Sequence, residues 1–131
     1  MEMVAFNFEI KAKKLMLRCD AMHLSNAINN LLDNAKKYHK ESSEISLLAE
    51  IKNKKLHISV NDNGIGIEKK DQKNVFKKHF RVSFGNLYTV KGYGLGLYYV
   101  KKIITLHKGS IDLESKINEG TKITLNIPIL I

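Results

Sequence analysis

The chain has 131 residues, 44% of them apolar, which suffices for one hydrophobic core and leaves no room for a second domain, so residues 1–131 read as a single unit. Its 22 Lys and Arg against 13 Asp and Glu give a formal charge of +9, which favours anionic partners from nucleotides to acidic proteins and lipid surfaces. One cysteine, Cys19, excludes an internal disulfide and a multi-thiolate metal site, and no apolar run approaches the roughly 20 residues that span a bilayer.

The stretch Met1–Glu9 carries acidic residues and lacks the layout of a signal peptide, so the expected location is cytoplasmic, without direct membrane insertion even if a parent protein is anchored in an inner membrane. From Met3 to Leu17, alternating Val4, Phe6, Phe8 and Ile10 followed by Leu15–Leu17 predict one or two strands. Leu24, Ala27, Ile28, Leu31, Leu32, Ala35 and Tyr38 recur at helical spacing over Ala21–Tyr38, with Asp20 placed as an N-cap. Two strands, Glu44–Ile51 and Leu56–Asn61, flank the polar stretch Lys52-Asn53-Lys54-Lys55 and predict a hairpin. A short helix is expected near Glu68. From Gln72 to Gly92 there is no clean period, a length of irregular chain that suits a functional lid spanning about residues 68–93. Gly94–Leu106 reads as a helix stopped by Gly109, and Ser110–Ser115 with Thr121–Ile127 as a last hairpin around Asn118-Glu119-Gly120. The order predicts an α/β fold: a two-layer sandwich in which helices cover one face of a mixed, mostly antiparallel sheet.

Three constellations carry chemistry. On a wheel of the first helix, Asn26, Asn30, Asn34 and Lys37 share a stripe opposite the one holding Leu24, Ile28, Leu31, Leu32 and Ala35. Amide oxygens suit Mg²⁺, and lysine suits phosphate as a point charge, although a stripe of this kind is most often simply solvated. Asp62 ends an apolar strand and is followed by Gly64 and Gly66, which let backbone pass close to a flat ligand whose exocyclic amine the carboxylate can accept. The ordinary alternative is an Asx turn. A calcium loop is excluded, because Ser59 and Lys70 would occupy its first and last positions, where acidic ligands are required. Gly92-Tyr93-Gly94-Leu95-Gly96 stands directly before a helix, where free N–H groups meet phosphates, yet it fits neither the dinucleotide fingerprint nor the Lys-Ser/Thr phosphate loop. Within the lid, Arg81 has the donor fork that suits a terminal phosphate.

In this order the pieces resemble the nucleotide-binding fold shared by sensor histidine kinases, DNA gyrase, heat-shock chaperone ATPases and mismatch-repair ATPases. Asn30–Tyr38 looks like the asparagine box, Asp62–Ile67 the first glycine box and Gly92–Leu97 the second, within a similarity running from about Cys19 to Pro128. The resemblance implies ATP and Mg²⁺ as ligands. It implies that Asn34 ligates the metal, Asn30 positions metal and phosphates, Lys37 contacts phosphate, Tyr38 and Ile67 line the pocket, and Asp62 reads the adenine amine. By the same resemblance Gly64 and Gly66 make room for the base, Gly92, Gly94, Leu95, Gly96 and Leu97 shape the phosphate-side lid, Thr121 supports the adenine end, and Arg81 touches the γ-phosphate side.

Hydrolytic relatives carry glutamate where this chain has Asn30, and an amide cannot take a proton from water. The resemblance therefore points to the catalytic domain of a sensor histidine kinase in two-component signalling, donating the γ-phosphate to a histidine on a separate dimerisation and phosphotransfer domain, with a response regulator downstream. A regulatory serine kinase or a hydrolytic ATPase of the same fold is the alternative. His23, His39, His57, His79 and His107 lie in no setting expected of the acceptor. Three positions depart from the pattern: His79 and Lys77 in the phenylalanine box Val75–Arg81, and Asn118 where a glycine is usual. The lysines are scattered rather than gathered on one element, which argues against nucleic acid as a partner.

Overall fold

The computed structural model describes residues 3–10, 21–37, 42–78 and 96–129. They form β1 (Met3–Ile10), α1 (Ala21–Lys37), β2 (Ser42–Lys52), β3 (Lys55–Asp62), α2 (Lys69–Gln72), α3 (Gly96–Leu106), β4 (Ser110–Lys116) and β5 (Gly120–Pro128). The predicted Leu15–Leu17 strand and the end of the first helix at Tyr38 fall outside these residues. The five strands make one sheet in the order β1-β2-β3-β5-β4, with β1 parallel to β2 and every other pair antiparallel. A parallel pair needs a crossover, and α1 supplies it. Helices cover one face, as the element order predicts.

The register turns the alternation of each strand into rows across the sheet. Ala49, Ile58, Leu125 and Ile111 form one row, and Leu47, Val60, Ile123 and Leu113 the next. Against these rows pack Ala27, Leu31 and Ala35 of α1 with Leu97, Val100, Ile103 and Ile104 of α3, all buried. Leu31 and Leu125 are fully enclosed, and burying a leucine side chain stabilises the fold by about 1.5–3 kcal/mol each.

The buried line of α1 differs from the predicted wheel. It runs Ala27–Leu31–Ala35, while Leu24, on the same line one turn earlier, and Ile28 and Leu32, at its flank, are half-buried. At 100° per residue this rotates the core toward the asparagines, so that Asn34 lies only about 60° from its centre. Asn30 and Asn34 are accordingly half-buried and Asn26 is exposed.

Two turns also differ from expectation. The β2–β3 loop is not four residues but two, Asn53 and Lys54, with φ of 54° and 60°. Positive φ at both central residues matches the twist of the flanking strands, which is why the ladder continues to Lys52 and Lys55. At the end of α3 the left-handed residue is Lys108 (φ 61°), not Gly109. The Gly109 N–H donates to the Ile104 carbonyl at 2.9 Å, and a Cβ on Gly109 would overlap the Asn126 carbonyl oxygen, so this glycine answers to close packing on β5.

Candidate nucleotide site

The third cross-sheet row reads Ile45, Asp62, Thr121, Ser115 from β2 to β4. Two apolar rows thus give way to a polar one at the strand ends, on the same face as the helices. Asp62 Oδ1 accepts the Gly64 N–H at 2.8 Å, and the backbone N–H of Thr121 also donates to this carboxylate. Burial nevertheless pushes the Asp62 carboxyl above the ordinary aspartate value, outweighing the two hydrogen bonds that pull it down. A desolvated carboxylate at the end of a rigid sheet is a group placed to recognise something.

Behind the row, the first glycine turn is bolted to the β4–β5 hairpin. The Ser115 hydroxyl lies 2.8 Å from the Ile67 amide nitrogen, 3.0 Å from the Gly120 carbonyl and 2.7 Å from the Thr121 hydroxyl. The Gln72 amide donates to the carbonyls of Ile67 (2.9 Å) and Ser115 (3.0 Å), and the Asn118 N–H donates to Ile65 at 2.8 Å. Gly66 has φ 76°, and a Cβ there would overlap the Lys116 carbonyl, while a Cβ on Gly120 would overlap the carbonyl of Asp62. Gly66 is therefore required where turn meets hairpin, a reason different from room for a base. Asn118 adopts φ 65°, the conformation for which asparagine is a fair substitute for glycine. On the other side the Asn63 side chain accepts the Glu44 N–H at 2.8 Å, tying the same turn to β2.

Asp62, Gly64, Gly66, Ile67 and Thr121 are thus brought together. Asn30 and Asn34 stand half-buried on α1, which packs against α3 and β3. Gly96 opens α3, with space for a Cβ, and Leu97 is buried in the core. Lys37 closes α1. Tyr38, Arg81, Gly92, Gly94 and Leu95 lie outside the described residues, as does most of the expected lid. Of the phenylalanine box, Phe76 is half-buried with the Lys101 ammonium 5.6 Å from its ring centre, and Lys77 is exposed, so its departure in charge is solvated.

Sequence reasoning missed Ser115 and Gln72. For Ser115 a signal was present, because the alternation Ile111, Leu113, Ser115 continues the core face of β4 onto a hydroxyl. Gln72, in a four-residue helix, gives none. A shallow groove of about 300 Å³ also runs past Asn61, Ser115, Thr121 and Lys122, but Asp62 does not line it. Among the described residues no group of three or more His, Cys, Asp or Glu is arranged to hold a metal ion, and no helix is long and apolar enough to cross a membrane.

The family model described as histidine kinase-, DNA gyrase B-, and HSP90-like ATPase matches residues 19–131. The chain belongs to this family. It is 50% identical over 123 residues to the sensor protein RprX of Bacteroides fragilis (strain YCH46), covering 92% of this chain and 24% of that protein. It is 34% identical over 116 residues to the signal transduction histidine-protein kinase ArlS of Staphylococcus aureus (strain USA300), covering 88% and 26%. The chain thus spans about a quarter of the length of these curated relatives. Among solved structures, the catalytic domain of histidine kinase ThkA in a nucleotide-free form is similar with a TM-score of 0.78 at 28% identity, covering 96% of this chain and 80% of that one. A mycobacterial sensor histidine kinase, MprB, shares the fold at a TM-score of 0.84 and 24% identity, covering 96% and 84%. Within the ATPase family the chain is a catalytic domain of the histidine-kinase type.

Proposed function

We propose that this domain binds Mg²⁺-ATP and donates the γ-phosphate to a histidine on a separate dimerisation domain of the parent kinase, from which a response regulator is then phosphorylated. The observation that carries the reading is the desolvated Asp62 paired with Thr121 at the end of the core face. An ionised carboxylate there accepts the exocyclic amine of adenine. Ile67 and Tyr38 line the base, and Gly64 keeps backbone close to it.

The phosphates run toward α1. Asn34 and Asn30 are half-buried beside the core instead of turned fully to solvent, and their amide oxygens are hard donors of the kind Mg²⁺ accepts alongside phosphate oxygens and water. They fit the ion, which when bound neutralises charge on the phosphates. Lys37 adds a phosphate contact, Arg81 reaches the γ-phosphate side, and Gly92, Gly94, Leu95, Gly96 and Leu97 shape the phosphate-side lid.

Asn30 stands where hydrolytic relatives carry a glutamate base, so water is not activated and ATP is held until an external imidazole nitrogen attacks the γ-phosphorus and ADP leaves. The domain's own contribution is positioning and charge stabilisation.

Calorimetric titration of ATP with and without Mg²⁺ tests the reading. Binding in the micromolar to millimolar range that depends on Mg²⁺ is expected, with Asn34→Ala removing the Mg²⁺ dependence. If the folded domain takes up no adenine nucleotide, the reading is wrong.

A further inference from the structure

We propose that Ser115 is a specificity-determining positioning residue: its hydroxyl orients that of Thr121 so that the base end of the site offers hydrogen-bond acceptors only, selecting a purine with an amine at C6 over one with a carbonyl. The proposal rests on the adenine-nucleotide reading above and adds to it a residue that never touches the ligand.

A serine hydroxyl has one proton and two lone pairs. Of the three groups within reach of Ser115 Oγ, the Ile67 N–H at 2.8 Å can only donate and the Gly120 carbonyl at 3.0 Å can only accept. Ser115 therefore gives its proton to Gly120 and one lone pair to Ile67. What remains for the Thr121 hydroxyl at 2.7 Å is the second lone pair, so Thr121 is the donor in that contact. This assignment alone satisfies all three contacts at once.

The Thr121 proton is consequently spent toward β4, and only its lone pairs remain for a ligand. Its cross-strand neighbour Asp62 is, when ionised, also an acceptor and nothing else. An exocyclic amine brings protons to this pair. A carbonyl at the same position sets lone pairs against lone pairs. Thr121 is buried and Ser115 half-buried, and Gly120 packs closely against Asp62, so the Thr121 hydroxyl has little freedom to re-aim while Ser115 stands beside it.

The test measures Kd for Mg²⁺-ATP and Mg²⁺-ITP at one pH for wild type, Ser115→Ala, Thr121→Val and Gln72→Leu. Wild type is expected to prefer ATP. Ser115→Ala frees the Thr121 hydroxyl to turn and donate, so the ITP-to-ATP ratio of Kd values should fall about three- to tenfold, the worth of one hydrogen bond. Thr121→Val removes the lone pairs and should lower the ratio too, which keeps the test decisive if Ser115→Ala does not fold. Gln72→Leu loosens the same turn and hairpin through Ile67 and Ser115 without touching Thr121, so it should weaken both nucleotides and leave the ratio alone.

Equal weakening of ATP and ITP by Ser115→Ala overturns the proposal, as does an unchanged ratio in Thr121→Val or an equal shift of the ratio in Gln72→Leu. These results differ from loss of the parent reading, in which wild type binds no ATP at all.

Discussion

The sheet carries a polar row on each face, and the two are completed differently. On the open face His57, Asn126 and Ser110 stand side by side on β3, β5 and β4. Asn126 spends its whole amide there, accepting from His57 Nδ1 at 2.5 Å and donating to Asp112 at 2.8 Å and Ser110 at 3.2 Å. The other ring nitrogen of His57 lies 3.2 Å from the Lys52 carbonyl. The Asn126 amide is thereby fully partnered. On the helix face the Ser115 end is closed in the same way, but at the other end the carboxylate of Asp62 is desolvated beyond what the Gly64 and Thr121 amides compensate. A buried amide whose partners all come from neighbouring strands serves the sheet, whereas a desolvated carboxylate keeps acceptor capacity for a further donor.

Replacing the charge should break the comparison most sharply. Asp62→Asn is expected to lower ATP affinity by about ten- to a hundredfold, the worth of a hydrogen bond to a charged group, while Tm stays level or rises because the desolvation cost is gone. Calorimetry and a thermal melt read both. The open row should answer in reverse: Asn126→Ala removes the partner that His57 and Asp112 share and should cost about 0.5–1.5 kcal/mol in chemical denaturation with ATP affinity intact.

A pH series sharpens the contrast further. Because the folded pKa of Asp62 is raised, the folded protein holds this proton at pH values where the unfolded chain has released it. The contribution of Asp62 to stability therefore falls as pH climbs through that window, while ATP affinity rises through it as the acceptor ionises. The difference between wild type and Asp62→Asn isolates the group, and a carboxyl NMR titration locates it. A carboxyl titrating below the ordinary aspartate range would remove the desolvation account. The smallest effect belongs to the exposed Lys116–Glu119 pair beside the site, whose N–O distance is 3.3 Å. Lys116→Ala should change stability by no more than about 0.5 kcal/mol by denaturation.

The elements were legible in the sequence where a period or a turn residue marks them. The alternation of β3 and β5, the spacing of α1 and the Asn118-Glu119-Gly120 turn all have local causes. Asp62, Gly64 and Gly66 stood out because glycines and a strand-end aspartate are unusual together, whereas Thr121 was reached only through the family resemblance. Less legible was whatever depends on neighbours distant in the chain. That the core line of α1 runs through Ala27 depends on how α3 packs, and the reason for Gly66 is the Lys116 carbonyl fifty residues away. Gln72 likewise acts on Ser115, 43 residues away. The parallel pairing of β1 has no mark in the residues of either strand.

The strand order has a consequence for how the site opens. β3 is bonded on both sides, to β2 and β5, whereas β4 is an edge. Amides of β3 should exchange with deuterium slowest and those at the outer side of β4 soonest, since local opening begins where the ladder is single. The carboxylate proposed to supply affinity therefore rides on the central strand, and the serine proposed to tune the choice of base rides on an edge strand. On warming toward the melting transition, discrimination between bases should fade before binding does.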